Sequence, residues 1–68
     1  EYGAERIDRD VFALFRRGGG VRGVANLSER PWAASSGLHD RGRPILERAS
    51  RSGGRTAFAA RSISLYEE

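Results

Sequence analysis

Large apolar side chains are scarce in this chain, and that scarcity limits what it can fold into more than any motif does. Leu, Ile, Val and Phe together supply 14 of the 68 residues, just above the roughly 20% below which charged chains usually stay disordered. Much of the remaining apolar content is alanine, which buries little surface. A single core becomes reliably self-sufficient only above roughly 70–80 residues, and smaller domains compensate with disulfides, a structural metal or a partner. There is no cysteine, and His39 is the only histidine, so neither a disulfide nor a tetrahedral zinc site of nitrogen and sulfur ligands can be assembled. No metal and no cofactor are expected. A partner is the remaining route, and a homo-oligomer or a larger assembly is the expectation.

The longest apolar run, Val11 to Phe15, has five residues, far short of the roughly 18 needed to cross a bilayer or of a secretory signal's apolar region. A soluble protein without a membrane partner is expected, with the cytoplasm as its compartment. Because the chain opens on Glu1 and not on methionine, it reads as a processed product or an excised segment of a longer parent.

All twelve basic residues are arginine. A GC-rich coding sequence is the plainest cause of that bias, but the guanidinium still binds phosphate or carboxylate through two parallel hydrogen bonds and stacks on bases. The distribution is uneven. Residues 1–15 carry a net −2, residues 62–68 another −2, and residues 16–61 a net +7, which points to a polyanionic partner for the middle of the chain.

Ile7, Val11, Leu14 and Phe15 recur at the spacing that lines one face of an α-helix, and predict a helix over about 4–17. Glu5, Asp8 and Asp10 near its start and Arg16 and Arg17 at its end suit the helix dipole, and Gly18 supplies a left-handed stop. Val21, Val24, Ala25 and Leu27 predict a second short helix over about 21–28, with Gly23 as a cost inside it and Pro31 ending it. Pro31 suits the first position of a third helix over about 31–39, although Ser35, Ser36 and Gly37 are weak helix formers and a loop anchored by Trp32 and Leu38 is the alternative. Two β-compatible runs, Ile45 to Ala49 and Thr56 to Arg61, flank Ser50-Arg51-Ser52-Gly53-Gly54-Arg55 and predict a basic hairpin over about 45–61 with a loop longer than the tightest turns. Phe58 sits at an even position and Ile63 and Leu65 at odd ones, so a bulge or a second element is expected near Arg61.

The short motifs carry little chemistry. Gly18 to Gly23 has the spacing GxGxxG, but the dinucleotide fingerprint needs a preceding strand and a parallel βαβ unit, and here it follows a predicted helix in a chain too short for that sheet. Ser36, His39 and Asp40 are the residue types of a hydrolytic triad, yet adjacent His39 and Asp40 would project about 100° apart on a helix, and nothing supplies a cleft; no enzyme is expected. Arg17-Gly18-Gly19 and Arg51-Ser52-Gly53-Gly54-Arg55 match segments that bind single-stranded RNA by charge and guanidinium stacking, or solvated turns.

Taken in order, "FRRGGG", "VRGVANLSER", "PWAASSGLHD" and the hairpin "ILERASRSGGRTAFAARS" resemble a winged helix-turn-helix domain over residues 4 to 66. The hairpin resembles the wing of MarR-type regulators, and "DVFALFRRGG" is similar to the first helix of DeoR-type regulators. The fold so implied is α+β: two or three short helices followed by a basic β-hairpin. The implied function is a non-enzymatic, transcription-regulator-type module binding nucleic acid, duplex DNA before RNA. Ser35, Ser36 and His39 would face bases or phosphates in the major groove, flanked by Arg41 and Arg43, while Arg48, Arg51 and Arg55 of the wing would follow the backbone or minor groove. The alternative is a protein-interaction subunit or small RNA-binding component of a larger assembly, folding with its partner.

Overall fold

The computed structural model describes residues 1–68 and contains no helix. Eight strands follow one another as β1 (Tyr2–Asp8), β2 (Val11–Arg16), β3 (Val21–Asn26), β4 (Trp32–Ser35), β5 (Arg43–Leu46), β6 (Ala49–Ser52), β7 (Arg55–Phe58) and β8 (Ser62–Glu67). They form a five-stranded sheet in the order β1-β2-β3-β8-β5 and a three-stranded sheet in the order β4-β7-β6, every pairing antiparallel. The α+β class and the winged-helix architecture are therefore overturned, and the three helices expected over 4–17, 21–28 and 31–39 are corrected to strands and loops.

The first correction has a clear physical cause. The run Val11 to Phe15 is apolar at consecutive positions because β2 lies inside its sheet and places side chains on both faces. Ile7 belongs to the neighbouring strand. Its residues meet Val11 and Phe15 across a turn at Arg9-Asp10, not along a helix. Asp8, read as a helix-dipole acid, instead accepts the Arg9 N–H at 2.7 Å and the Trp32 indole N–H at 2.8 Å. These two donors hold its carboxyl below the ordinary range. Gly18 has a positive φ as expected, at +92°, but it lies in the turn between β2 and β3.

Gly23, a cost in the helical reading, is a requirement in the strand. A Cβ there would lie 2.0 Å from the Ser64 carbonyl oxygen of the adjacent β8.

The expected hairpin is present but tighter than the sequence indicated. β6 and β7 run to a two-residue turn at Gly53-Gly54, with φ of +58° and +76°, the positive pair that a type I′ turn demands. The same two arms continue as β5 and β8 into the larger sheet, so residues 43–67 form one long hairpin bent between the sheets. The break foreseen near Arg61 is where the bend falls: β7 ends at Phe58, β8 starts at Ser62, and Arg61 has φ +51°. Phe58 and the pair Ile63 and Leu65 nonetheless face opposite ways across that bend. Phe58, Ser64 and Tyr66 point inward, and Ile63 is 44% exposed.

Between the sheets Val11, Val24, Phe58 and Tyr66 are buried, with Ile7, Trp32 and Ala49 packed against them. Trp32 stacks on Phe58 at 6.1 Å between ring centres. This core is as thin as the composition implied, and buried polar groups complete it. Asn26, fully buried, places its Nδ2 at 2.8 Å from the Arg30 carbonyl and 3.1 Å from those of Phe58 and Ala59. Its Oδ1 accepts the Ser28 N–H and O–H. One amide thus joins the β3–β4 and β7–β8 corners.

Candidate functional site

The register of the larger sheet sorts its side chains into two faces. One row runs Ala4, Leu14, Gly23, Leu65, Leu46 across all five strands, and the next runs Arg6, Phe12, Ala25, Ile63. These rows alternate with the ones that hold Val11, Val24 and Tyr66, so they lie on the face turned away from the smaller sheet. That outer face is apolar at its centre. Tyr2, Leu14, Val21, Ile45, Ile63 and Leu65 line a shallow depression of about 390 Å³ on it. Tyr2 is 71% exposed, Ile45 55% and Leu46 44%, a contiguous patch of the kind that marks interaction sites on small proteins. Charge lies toward the rim, at Arg6, stacked 5.5 Å from the centre of the Phe12 ring, at Arg16 opposite Tyr2, and at the Arg43–Glu67 pair.

The residues expected to meet nucleic acid lie elsewhere, and the sheets gather only some of them. Ser35 ends β4 on the exposed side of the smaller sheet, opposite Arg55. Ser36 Oγ is 2.9 Å from Thr56 Oγ1. His39, half-buried, has its ring 5.6 Å from that of Trp32, and burial followed by the Arg22 charge pushes its pKa down. Arg41 is exposed in the same loop. Arg43 is paired with Glu67, and Arg55 donates to the Ala33 carbonyl at 3.1 Å. Arg48 lies at the opposite end of the sheets, in the β5–β6 corner. The helix that would have carried Ser35, Ser36 and His39 into a groove does not exist.

Arg51, expected at the tip of a wing, points inward. It bonds Asp40 Oδ2 at 2.9 Å and Glu47 Oε2 at 2.7 Å. Thr56 donates to Asp40 at 2.8 Å, the Gly37 N–H at 2.6 Å, and the Tyr66 hydroxyl donates to Glu47 at 2.7 Å. Burial raises the Asp40 carboxyl, but the bonds from Gly37, Thr56 and Arg51 outweigh it and hold the group below its ordinary range. Glu47 is held down by Arg51 and Tyr66, and burial with the Glu47 contact drives the Tyr66 hydroxyl upward. Both Asp40 and His39 belong to the candidate triad of the sequence, yet Asp40 spends its oxygens on Gly37, Thr56 and Arg51.

Acid should loosen this network. Carboxyls held down in the folded chain contribute fully above their unfolded values, near about 4, and that contribution is lost as pH falls through the folded values. His39, favoured neutral by folding, contributes above its unfolded value near about 6.5 and loses that contribution on acidification. Thermal melts should therefore show Tm declining first around pH 6 and again below about pH 4. Asp40→Asn should shrink the second decline, leaving the share of Glu47 and Asp8, and cost about 2 kcal/mol at neutral pH, less than a fully buried pair because water reaches part of Arg51.

The linear charge segregation is partly neutralised in space. Glu1 lies 3.9 Å from Arg17, Glu68 lies 3.2 Å from Arg22, and Glu67 pairs with Arg43. The acidic ends are the partners of the basic middle, because β1 and β8 sit in the same sheet as the strands that carry those arginines.

Comparison with known proteins finds no matching family model, no matching curated protein and no matching solved structure. No helix is long and apolar enough to cross a membrane.

Proposed function

We propose that the chain is a non-enzymatic protein-interaction module, working in the cytoplasm within a homo-oligomer or larger assembly, whose partner covers the outer face of the five-stranded sheet. The observation that carries this reading is the apolar row Leu14, Leu65, Leu46 with Ile63 and Tyr2 beside it, on a face opposite to the one that builds the core. A thin core explains the need: the chain buries 11 of 68 residues by itself, and covering a second face adds apolar burial that the first cannot supply.

A second reading, contact with duplex DNA or RNA, is favoured by the arginines that form no ion pair, among them Arg41, Arg48 and Arg55. The two differ in their response to salt. Association through an apolar face persists or strengthens in high salt, whereas phosphate contact weakens steeply. Sedimentation of the chain across concentration and salt should show association that survives salt, and that Leu14→Glu abolishes while the β-type circular dichroism is retained. A monomer at every concentration that binds no apolar dye would overturn the proposal. A duplex-DNA shift lost in salt would favour the second reading.

A further inference from the structure

The four connections β1–β2, β3–β4, β5–β6 and β7–β8 meet at one end of the molecule. They are tied together by backbone bonds from Leu27 N to Asp10 O, Ala59 N to Arg48 O and Arg61 N to Ser28 O. Among them opens a cleft of about 670 Å³ lined by Leu27, Leu46, Ala59 and Ile63, with Arg48 and Arg61 among its walls. Leu27 is 58% exposed and Leu46 and Ile63 are each 44% exposed. Ile63 and Leu46 belong also to the outer face of the larger sheet, so the cleft continues the apolar surface around its edge.

Arg61 is the second observation. Seven other residues have positive φ, and all are glycine; Arg61 is the exception. A position that served only to turn the chain would favour glycine in the same way. The side chain is retained against backbone strain, and strain of this kind gathers at binding sites. In the free chain its guanidinium is paired with Glu29, a side chain 79% exposed, in the depression that adjoins the cleft and shares Leu27 and Arg61 with it, so the guanidinium already holds a carboxylate that is free to exchange. Arg48 is fixed through its N–H to Ser64 Oγ at 2.9 Å, and its guanidinium makes no ion pair.

We propose that this cleft binds an acidic, apolar segment of a partner protein, its aliphatic side chain on Leu27, Leu46 and Ile63 and its carboxylate on Arg61 and Arg48, in place of Glu29. The walls are aliphatic and offer no aromatic ring on which a base would stack, which favours a peptide over a nucleic acid. Rigid backbone at both arginines reduces the ordering cost of binding. This inference rests on the interaction reading and names the chemistry of the partner.

The test uses the full chain labelled with ¹⁵N and a capped peptide of alternating leucine and glutamate, with a leucine–glutamine twin and a single-stranded oligonucleotide as the other probes. At about 1 mM the glutamate peptide should shift the amides of Leu27, Arg48, Arg61 and Ile63, and the glutamine twin should bind about tenfold more weakly. Arg61→Gly should leave the fold intact, raise or preserve Tm, and weaken the peptide about as much; Arg48→Gln should weaken it with Tm unchanged. Equal binding of the twin, undiminished binding by Arg61→Gly, or a response of these amides to the oligonucleotide and not to the peptide would each overturn the proposal. Leu14→Glu lies outside the cleft and should leave peptide binding unchanged, so failure of the sheet-face reading and failure of the cleft are read separately.

Discussion

Asn26→Ala is expected to cost roughly 3 kcal/mol, because it strips the buried Phe58 carbonyl of the amide, leaves the Arg30 and Ala59 carbonyls with only the Ser28 and Ser62 hydroxyls, and frees the Ser28 turn in one step. Those carbonyls belong to Arg30, Phe58 and Ala59, on two corners where the chain passes from one sheet to the other. A chain of this length has a total stability of about 3–10 kcal/mol, so the loss takes about a third of it at the upper end and all of it at the lower. Asn26→Asp should be nearly as damaging, since a carboxylate facing three carbonyls loses the donor and adds a buried charge. Urea titration followed by circular dichroism measures both. A loss below about 1 kcal/mol for Asn26→Ala would mean that water replaces the amide and that the corners are not joined through it.

Gly23→Ala separates the helical reading of residues 21–28 from the strand by its sign. In a helix interior the substitution stabilises by about 1 kcal/mol. In β3 the added methyl meets the Ser64 carbonyl at 2.0 Å and Leu65 Cδ2 at 3.0 Å, and β8 must move to admit it. An overpacked site between paired strands costs about 3 kcal/mol, and the hydrogen exchange of amides in β3 and β8 should rise together. A variant more stable than the parent would refute the strand pairing itself.

Both residues show why much of this fold was illegible in the chain. Asn26 sits in "VRGVANLSER" with no local signal of burial; its partners are 4, 32 and 33 residues away. Gly23 looked like a defect because local propensity penalises glycine, whereas its reason is the approach of a strand some forty residues later. The spacing of Ile7, Val11, Leu14 and Phe15 matches a helix, yet it also fits two strands joined by a turn, one of them apolar on both faces. The hairpin was legible because its cause is local: Gly53-Gly54 supplies the backbone that a two-residue turn needs. The site was not. Its rows come from five strands, and parity along β8 alone says nothing of which face meets the core.

Charge teaches the same lesson. A basic middle between acidic ends is a true property of the sequence, but the ends fold back and pair with Arg17, Arg22 and Arg43 of that middle. Arg51, expected among the wing residues that would follow a nucleic-acid backbone, is instead the most engaged cation in the molecule, between Asp40 and Glu47.

Residue counts and backbone preferences over a few positions were enough to imply that the core would be thin and that the stretch 45–61 would fold back at its glycines. Which strands became neighbours, which arginines met carboxylates and which apolar side chains were left facing outward were decided only by the tertiary structure. Antiparallel pairing joins distant segments, and a shift of one residue in register exchanges the two faces of a strand.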